Sequence, residues 1–320
     1  MAFYNKKKTA TQKAANAAQK ADIYQIVVER LLKCMEKGDI PWIKPWSIAS
    51  KGAMHECVNY VTQKPYSMLN QMLLGFRDSE FITYKQLEAS GGRLKQGAQQ
   101  FIVVYWNTGY YSKKKTVEWD ENKQEYVEKT VEVWNEYPAP FLKYYYVYDV
   151  EDCIGIKTRR QKRLEDAPRF KNAQIRVGNK LIKEYCKREK IKLIEGTAAY
   201  YRPSDDSITL PPFDTFKIKE EYYSTAFHEM IHSTGEAKRL NRLKGDGFGS
   251  KTYAEEEIVA ELGAAFICAE LEMNYKKTIE NSTAYLQSWM KVMKQNPRNF
   301  VFAVTKSEKA ARFIFEDIKL

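Results

Sequence analysis

Residues 221–235 read EYYSTAFHEMIHSTG and contain the pattern H-E-x-x-H. On a helix, residues four apart share a face, so His228 and His232 can point at one ion, with Glu229 beside them. The chemistry asks for this set. Two neutral imidazoles hold Zn2+, an open position keeps a water, and the Glu229 carboxylate takes its proton. The chain has only three histidines, and two of them lie here. Phe227, Met230 and Ile231 make the helix largely buried, and buried histidines at this spacing want a purpose. A third ligand is expected downstream, in TYAEEEIVAELGAAF at 252–266. Glu257 and Glu261 are four apart on an otherwise apolar helix, and a buried carboxylate is costly unless paired or metal-bound. Glu257 is assigned as the third ligand, and Glu261 as the acceptor orienting a ligand histidine through its other ring nitrogen. Glu256, one helix step away, is the rival to Glu257. Among phenols that could stabilise an oxyanion, nothing separates Tyr200, Tyr223 and Tyr253, and each reads first as core.

Outward from this motif, residues 198–201 and 207–210 read as short strands joined by a turn. Helices are expected at 174–189, 218–233, 252–271, 283–295 and 305–316, so the second half is mainly helical. The first half is α+β. Ile23, Val27, Leu31 and Cys34 or Met35 mark an amphipathic helix over 21–37, which Gly38 and Pro41 stop. Short helices are expected at 65–76 and 84–89. Strands at 101–106, 116–119, 126–134 and 142–150 suggest an antiparallel sheet with a hairpin. Tyr144, Tyr146 and Tyr148 fall on one face by the period of two. Between Lys157 and Lys192 stand 14 Lys and Arg against 4 Asp and Glu. This places a linker at 157–170 and divides the chain into domains of 1–156 and 157–320, with 1–20 a mobile basic arm.

The 320 residues carry 52 basic and 41 acidic side chains, a formal net charge of +11, and 44% of them are hydrophobic. Global disorder is thereby excluded, and a polyanionic partner is favoured. Five cysteines without a CxxC pair argue against a disulfide scaffold or a four-cysteine zinc site and fit a reducing cytoplasm. No signal peptide and no membrane span is expected, so the reading is a soluble cytoplasmic protein without a membrane partner.

Single-strand binders combine a positive groove with aromatic stacking platforms. The first half offers Lys44, Trp46, Lys64, Tyr66, Tyr84, Lys85, Arg93 and Lys95 as candidate DNA contacts. Trp42 reads as core instead. The hairpin at 110–135 carries Glu118, Asp120, Glu121, Glu125, Glu128 and Glu132, and DNA is not expected on its tip. No helix-turn-helix or zinc-finger spacing is present, which disfavours reading of duplex sequence.

With these residues in view, the chain resembles the ArdC-type antirestriction proteins of conjugative plasmids over about residues 21–316. The N-terminal match runs through Gly38, Pro41-Trp42, Lys44-Pro45-Trp46, Asn59, Tyr66, Asn70, Thr83-Tyr84-Lys85-Gln86, Gly91-Gly92 and Lys95-Gln96-Gly97-Ala98 to Tyr146–Val150. The C-terminal match covers Tyr200, Ile208–Pro212, Tyr222–Thr225, the histidine motif, Ser233-Thr234-Gly235, Tyr253-Ala254, Glu256-Glu257 and Glu261–Ala264. Ser67 and Met68 stand where that family often has a fuller Gly-rich stretch. The resemblance implies an α+β, two-domain fold. An N-terminal domain that binds single-stranded DNA is joined to a mainly helical, zincin-like metallopeptidase domain holding Zn2+. The expected function is antirestriction-type DNA binding with water-activated hydrolysis of an unidentified protein substrate. The alternative is a non-catalytic protector of single strands whose zinc site is structural or vestigial. A zinc-dependent nuclease is disfavoured, because two-metal sites need clustered Asp and Glu that are not seen around His228.

Overall fold

The computed structural model describes residues 22–42, 57–77, 79–121, 124–159, 174–243, 251–271, 273 and 283–319. The basic arm expected at 1–20, the contacts Lys44 and Trp46, and most of the expected linker lie outside the described residues.

Helix α1 (Ile23–Met35) starts where the Asp22 side chain accepts from the Tyr24 amide, and ends before Gly38, whose φ of +85° is left-handed. That conformation costs a residue with a Cβ. Its buried side Val27, Val28, Leu31, Leu32 and Met35 packs on the C-terminal helices. Trp42 follows in the same core, its ring 4.6 Å from that of Trp289.

Strand β1 (Val58–Asn59) leads to α2 (Met68–Leu74), β2 (Glu80–Ile82) and α3 (Tyr84–Ala89). Thr83 and Gln86 form a reciprocal capping box that fixes where α3 begins. Then come β3 (Arg93–Leu94), β4 (Gln100–Asp120), β5 (Glu125–Asp149) and β6 (Cys153–Ile154). The main sheet has the order β1-β2-β5-β4, and β3 pairs with β6 apart from it. Buried Asn70 of α2 donates to the Val104 carbonyl and accepts from its amide, at 2.8 and 2.7 Å, so α2 is tied to β4 as a strand neighbour would be.

Two expectations change here. The sheet is mixed rather than wholly antiparallel, since β1 runs parallel to β2. The strands expected at 101–106, 116–119, 126–134 and 142–150 are fused into one long hairpin, β4 with β5. Gly109, Pro138 and Pro140 fall at a single irregularity of the pairing. There Gly109 faces Glu136, and residues 137–140, with Pro138 and Pro140, have no ladder partner. Proline is tolerated where a strand needs no N–H.

The second half begins with α4 (Gln174–Glu189) and a three-stranded sheet of β7 (Lys192–Glu195), β8 (Tyr200–Arg202) and β9 (Ser207–Leu210), ordered β7-β9-β8. Strand β7 was not expected. It is short, with Lys and Glu at its ends, and exposed throughout. Helices α5 (Lys219–Thr234), α6 (Lys251–Glu270), α7 (Thr283–Gln295) and α8 (Pro297–Phe315) complete the chain. Helix α8 begins eight residues before the expected 305. Asn296 caps it by accepting from the Asn299 amide, and Pro297 occupies the first turn.

One hydrophobic core runs through α1, α2, α4, α5, α6 and α8 and so crosses the expected domain boundary. A smaller cluster under the main sheet gathers Cys57, Tyr66, Leu74, Phe81, Phe101, Val103 and Val147. All five cysteines are free thiols. No helix among the described residues is long and apolar enough to cross a membrane.

Candidate metal centre

Helix α5 is held on several sides because Tyr223, Ala226, Phe227, Met230 and Ile231 are all but fully buried. Helix α6 lies against it at Gly263, where a Cβ would come within 2.6 Å of the Ile231 side chain. The missing side chain lets the two helices that carry the site approach closely.

The imidazoles meet at their Nε2 atoms, 3.1 Å apart. Glu257 sets one carboxylate oxygen 3.4 Å from His228 Nε2 and the other 3.4 Å from His232 Nε2. A tetrahedral ion with bonds of about 2.0–2.1 Å separates its ligand atoms by about 3.3–3.4 Å. The contacts present are close to that spacing, and one ligand atom from each of the three residues lies within 4.8 Å of the others, so the residues fit a single divalent ion with positions left open. Of the two carboxylates one helix step apart, Glu257 is the one facing both Nε2 atoms.

Behind these ligand atoms, each histidine shows its Nδ1 to a further carboxylate. Glu261 lies 3.8 Å from His228 Nδ1, and Glu256 lies 3.7 Å from His232 Nδ1. Glu256 is in turn gripped by Arg242, whose Nη2 and Nε donate to its two oxygens at 2.7 and 3.1 Å. The same guanidinium donates to the Ile231 carbonyl and the Thr234 hydroxyl at the end of α5, each at 2.8 Å. Arg242 thus welds the carboxylate to the helix it serves. Sequence reading missed it, because it stands in an irregular loop ten residues beyond His232 with no periodicity to mark it.

Burial holds the Glu229 carboxyl above the ordinary carboxylate value. The charges of His228 and His232 and the Tyr201 backbone N–H oppose this. Burial would likewise lower His232, but the Glu256 and Glu257 carboxylates outweigh it and raise the imidazole to about 9. Glu257, despite burial, is held well below the usual carboxylate range by the two histidines. Strand β8, which supplies the Tyr201 N–H, is an edge of its sheet.

A second network braces the end of α5. The Arg239 side chain is 1% exposed, donates to the Ser233 carbonyl at 2.6 Å, and pairs with Asp206 at the β8–β9 turn. Tyr185 of α4 shares a 2.8 Å hydrogen bond with the Ser233 hydroxyl. Of the three phenols, Tyr223 is buried and bonds Asn179, whereas Tyr200 is 38% exposed on β8. The side chain of Tyr253 lies outside the described residues.

The candidate DNA contacts fall differently. Tyr66 is buried, and its hydroxyl takes a 3.4 Å bond from Asn59, so its ring is packed rather than free for stacking. Lys64 is exposed in the turn after β1. Tyr84, 51% exposed, and Lys85 open α3. Arg93 lies exposed on β3, and Lys95 donates from the surface to the Glu151 carbonyl. Tyr144 and Tyr146, about two-fifths exposed and in edge contact, continue along β5 from Tyr148, which pairs with Ile82 just before α3. Their period of two was the signal, although they were not assigned to DNA.

Residues 21–148 match the family model of the N-terminal domain of anti-restriction factor ArdC, and residues 181–306 match a zincin-like metallopeptidase model. Two Escherichia coli proteins named DNA primase TraC are 29% and 30% identical, each over 93% of this chain. The chain spans only 27% and 20% of their lengths. An uncharacterized protein, y4eC, of Sinorhizobium fredii is 26% identical over 91% of this chain and 90% of its own. Crystal structures of the antirestriction ArdC protein from plasmid R388, metal-free and Mn(II)-bound, align with TM-scores of 0.61. They are 26% and 25% identical and cover 92% of this chain, against 97% and 98% of theirs.

Proposed function

From the premise that the chain is an ArdC-like protein, an ArdC N-terminal domain joined to a zincin-like metallopeptidase domain, we propose that it is a cytoplasmic, single-stranded-DNA-binding antirestriction-type protein of a mobile element whose second domain hydrolyses a peptide bond in a protein substrate. His228, His232 and Glu257 hold one divalent ion, zinc by the preference of imidazole and carboxylate ligands. The Mn(II) in a relative of similar fold supports a divalent site. When bound, such an ion polarises a carbonyl and makes water more acidic.

Glu229 takes the proton of the attacking water on its carboxylate and returns it to the leaving amine. Its raised pKa, caused by burial, suits a group that must hold a proton between those two events. A peptide in extended form can add to the open edge of β8 as a further strand, which brings its carbonyl beside Glu229. In the first domain, Tyr84 with Tyr144 and Tyr146 offers stacking faces, and Lys64, Lys85, Arg93 and Lys95 offer phosphate contacts.

The observation that carries the peptidase reading is the convergence of the two Nε2 atoms, 3.1 Å apart, with the two Glu257 oxygens, each 3.4 Å from one of them, and a buried Glu229 beside them. The test is Glu229→Gln against the parent, with a denatured protein mixture as substrate and mass spectrometry of new chain termini as readout. Cleavage is expected to fall by roughly 10²–10⁴-fold while metal content stays the same. Equal cleavage by both proteins would remove Glu229 from the chemistry. No cleavage by either would leave the non-catalytic reading, in which the metal site serves only the structure of a DNA-protecting protein.

A further inference from the structure

Beyond the bulge at Gly109, β4 and β5 continue as a two-stranded ribbon that belongs to none of the three core clusters. A lone hairpin of this kind is marginal in water unless something packs on it. One face holds the rungs Tyr111–Trp134, Lys113–Glu132, Lys115–Thr130, Val117–Glu128 and Trp119–Tyr126. Its aromatic side chains are 42–72% exposed. Each aromatic rung is a T-shaped pair, with ring centroids 4.9 and 5.0 Å apart. The two pairs bracket about 27 Å of ribbon at the usual strand rise.

Charge decides what covers this face. Residues 109–136 carry five Lys against seven Asp and Glu, in a chain whose net charge is +11. A segment of that sign repels a phosphate backbone. The pattern is complementary to itself. When two copies of the face are laid together about a twofold axis running along the strands, each rung meets its own counterpart reversed. Tyr111 then faces Trp134 of the second copy, Lys113 faces its Glu132, and Trp119 faces its Tyr126. An isologous contact requires this self-matching. Aromatic side chains bury about 150–250 Å² each when covered. Half-covering eight rings removes roughly 600–1,000 Å² from water before Val117 is counted, which approaches the roughly 1,000 Å² of a specific interface.

We propose that the distal β4–β5 ribbon is a dimerisation arm, and that its aromatic face docks on the same face of a second copy of this chain. Sedimentation equilibrium of the full chain at micromolar concentration tests it. The parent is expected to have the mass of a dimer, and Trp119→Ser with Trp134→Ser the mass of a monomer with unchanged circular dichroism. Lys113→Glu and Glu132→Lys are each expected to be monomeric alone, because each places like charges across the contact. Mixed in equal amounts they are expected to form a heterodimer, because both cross-copy pairs are then opposite in sign. That rescue separates contact between copies from damage within one ribbon. A monomeric parent, or a dimer that survives the double serine change, overturns the proposal. So does loss of oligothymidine binding by the serine variant with no change in mass, which would make the arm a nucleic-acid contact.

Discussion

Arg242 closes a two-pronged grip on Glu256, at 2.7 and 3.1 Å, and the carboxylate so held lies 3.7 Å from His232 Nδ1. With side-chain exposures of 8% and 11%, the pair is shielded from solvent, where a forked guanidinium–carboxylate contact keeps its strength. Its place is that of an outer carboxylate orienting a ligand imidazole. The expected consequence is that Arg242→Met or Glu256→Gln weakens metal binding by about 10–100-fold. Competition with a chromogenic chelator measures this without any need for a substrate. Should both variants hold zinc as tightly as the parent, the pair serves only to fasten the loop after α5.

Gly263 is the point where α6 can approach α5. A Cβ there would lie 2.6 Å from Cδ1 and 2.7 Å from Cγ1 of Ile231. Ile231 follows Met230 in the most buried part of α5 and has little room to retreat. Gly263→Val is therefore expected to cost about 1–3 kcal/mol through overpacking and to weaken the metal site by spreading its two helices. Thermal denaturation with and without zinc checks both effects. A second change, Ile231→Ala, empties the contested space, so the double variant should bind metal better than Gly263→Val alone.

Asp206 gives the pH dependence. Burial would raise its pKa, but hydrogen bonds from Arg239, Lys238 and Tyr201 outweigh that and bring it from 3.8 to about 2. A carboxylate depressed in the fold stabilises above its unfolded pKa, and this stabilisation fades as pH falls through the folded value. The window here is from about 4 down to about 2. Asp206→Asn is expected to lose about 2 kcal/mol at neutral pH, with a further loss from leaving Arg239 buried beside a neutral group. Urea midpoints for both proteins should differ at neutral pH and converge as the pH is lowered toward ~2. A gap that stays constant across that range would assign the stabilisation to packing instead of charge.

The parts of this architecture written in periodic patterns were legible in the sequence. The face of α1, the His228–Glu229–His232 turn and the α4 span of 174–189 follow from side chains repeating at helical spacing. What was not legible depends on rotation or on partners distant in the chain. Glu256 and Glu257 differ by about 100° around α6. Val259, Ala260, Leu262, Ala264, Ala265 and Phe266 bury most sides of that helix, so no single apolar stripe could choose between them. Arg242 acts through three groups that no local rule connects to it. Tyr66 reads as a stacking platform because it is one of a series of aromatics interleaved with basic residues, yet it packs in the cluster under the sheet. The long hairpin reads as separate short strands because β-forming runs alternate with polar stretches, and only the cross-strand pairing joins them across the bulge between Asn107 and Gly109.

The candidate DNA face can be tested one component at a time. Tyr84 is half-exposed at the start of α3, Lys85 follows it, and Arg93 stands on the exposed strand β3. Stacking of a base on an aromatic ring is worth about 1–3 kcal/mol, so Tyr84→Ala should weaken oligothymidine binding by roughly 5–150-fold at any one salt concentration. Lysine and arginine contacts act by releasing counterions instead. Replacing Lys85 and Arg93 together by Ala should flatten the plot of log affinity against log salt by about 1.4, from two single-strand phosphate contacts of about 0.7 each. Tyr66→Phe is the control, since that ring is packed under the sheet, and its affinity should match the parent. Fluorescence anisotropy of a labelled oligothymidine across a salt series reads all three. An unchanged slope in the double variant, or a loss in Tyr66→Phe equal to that in Tyr84→Ala, would move the DNA surface away from α3 and β3.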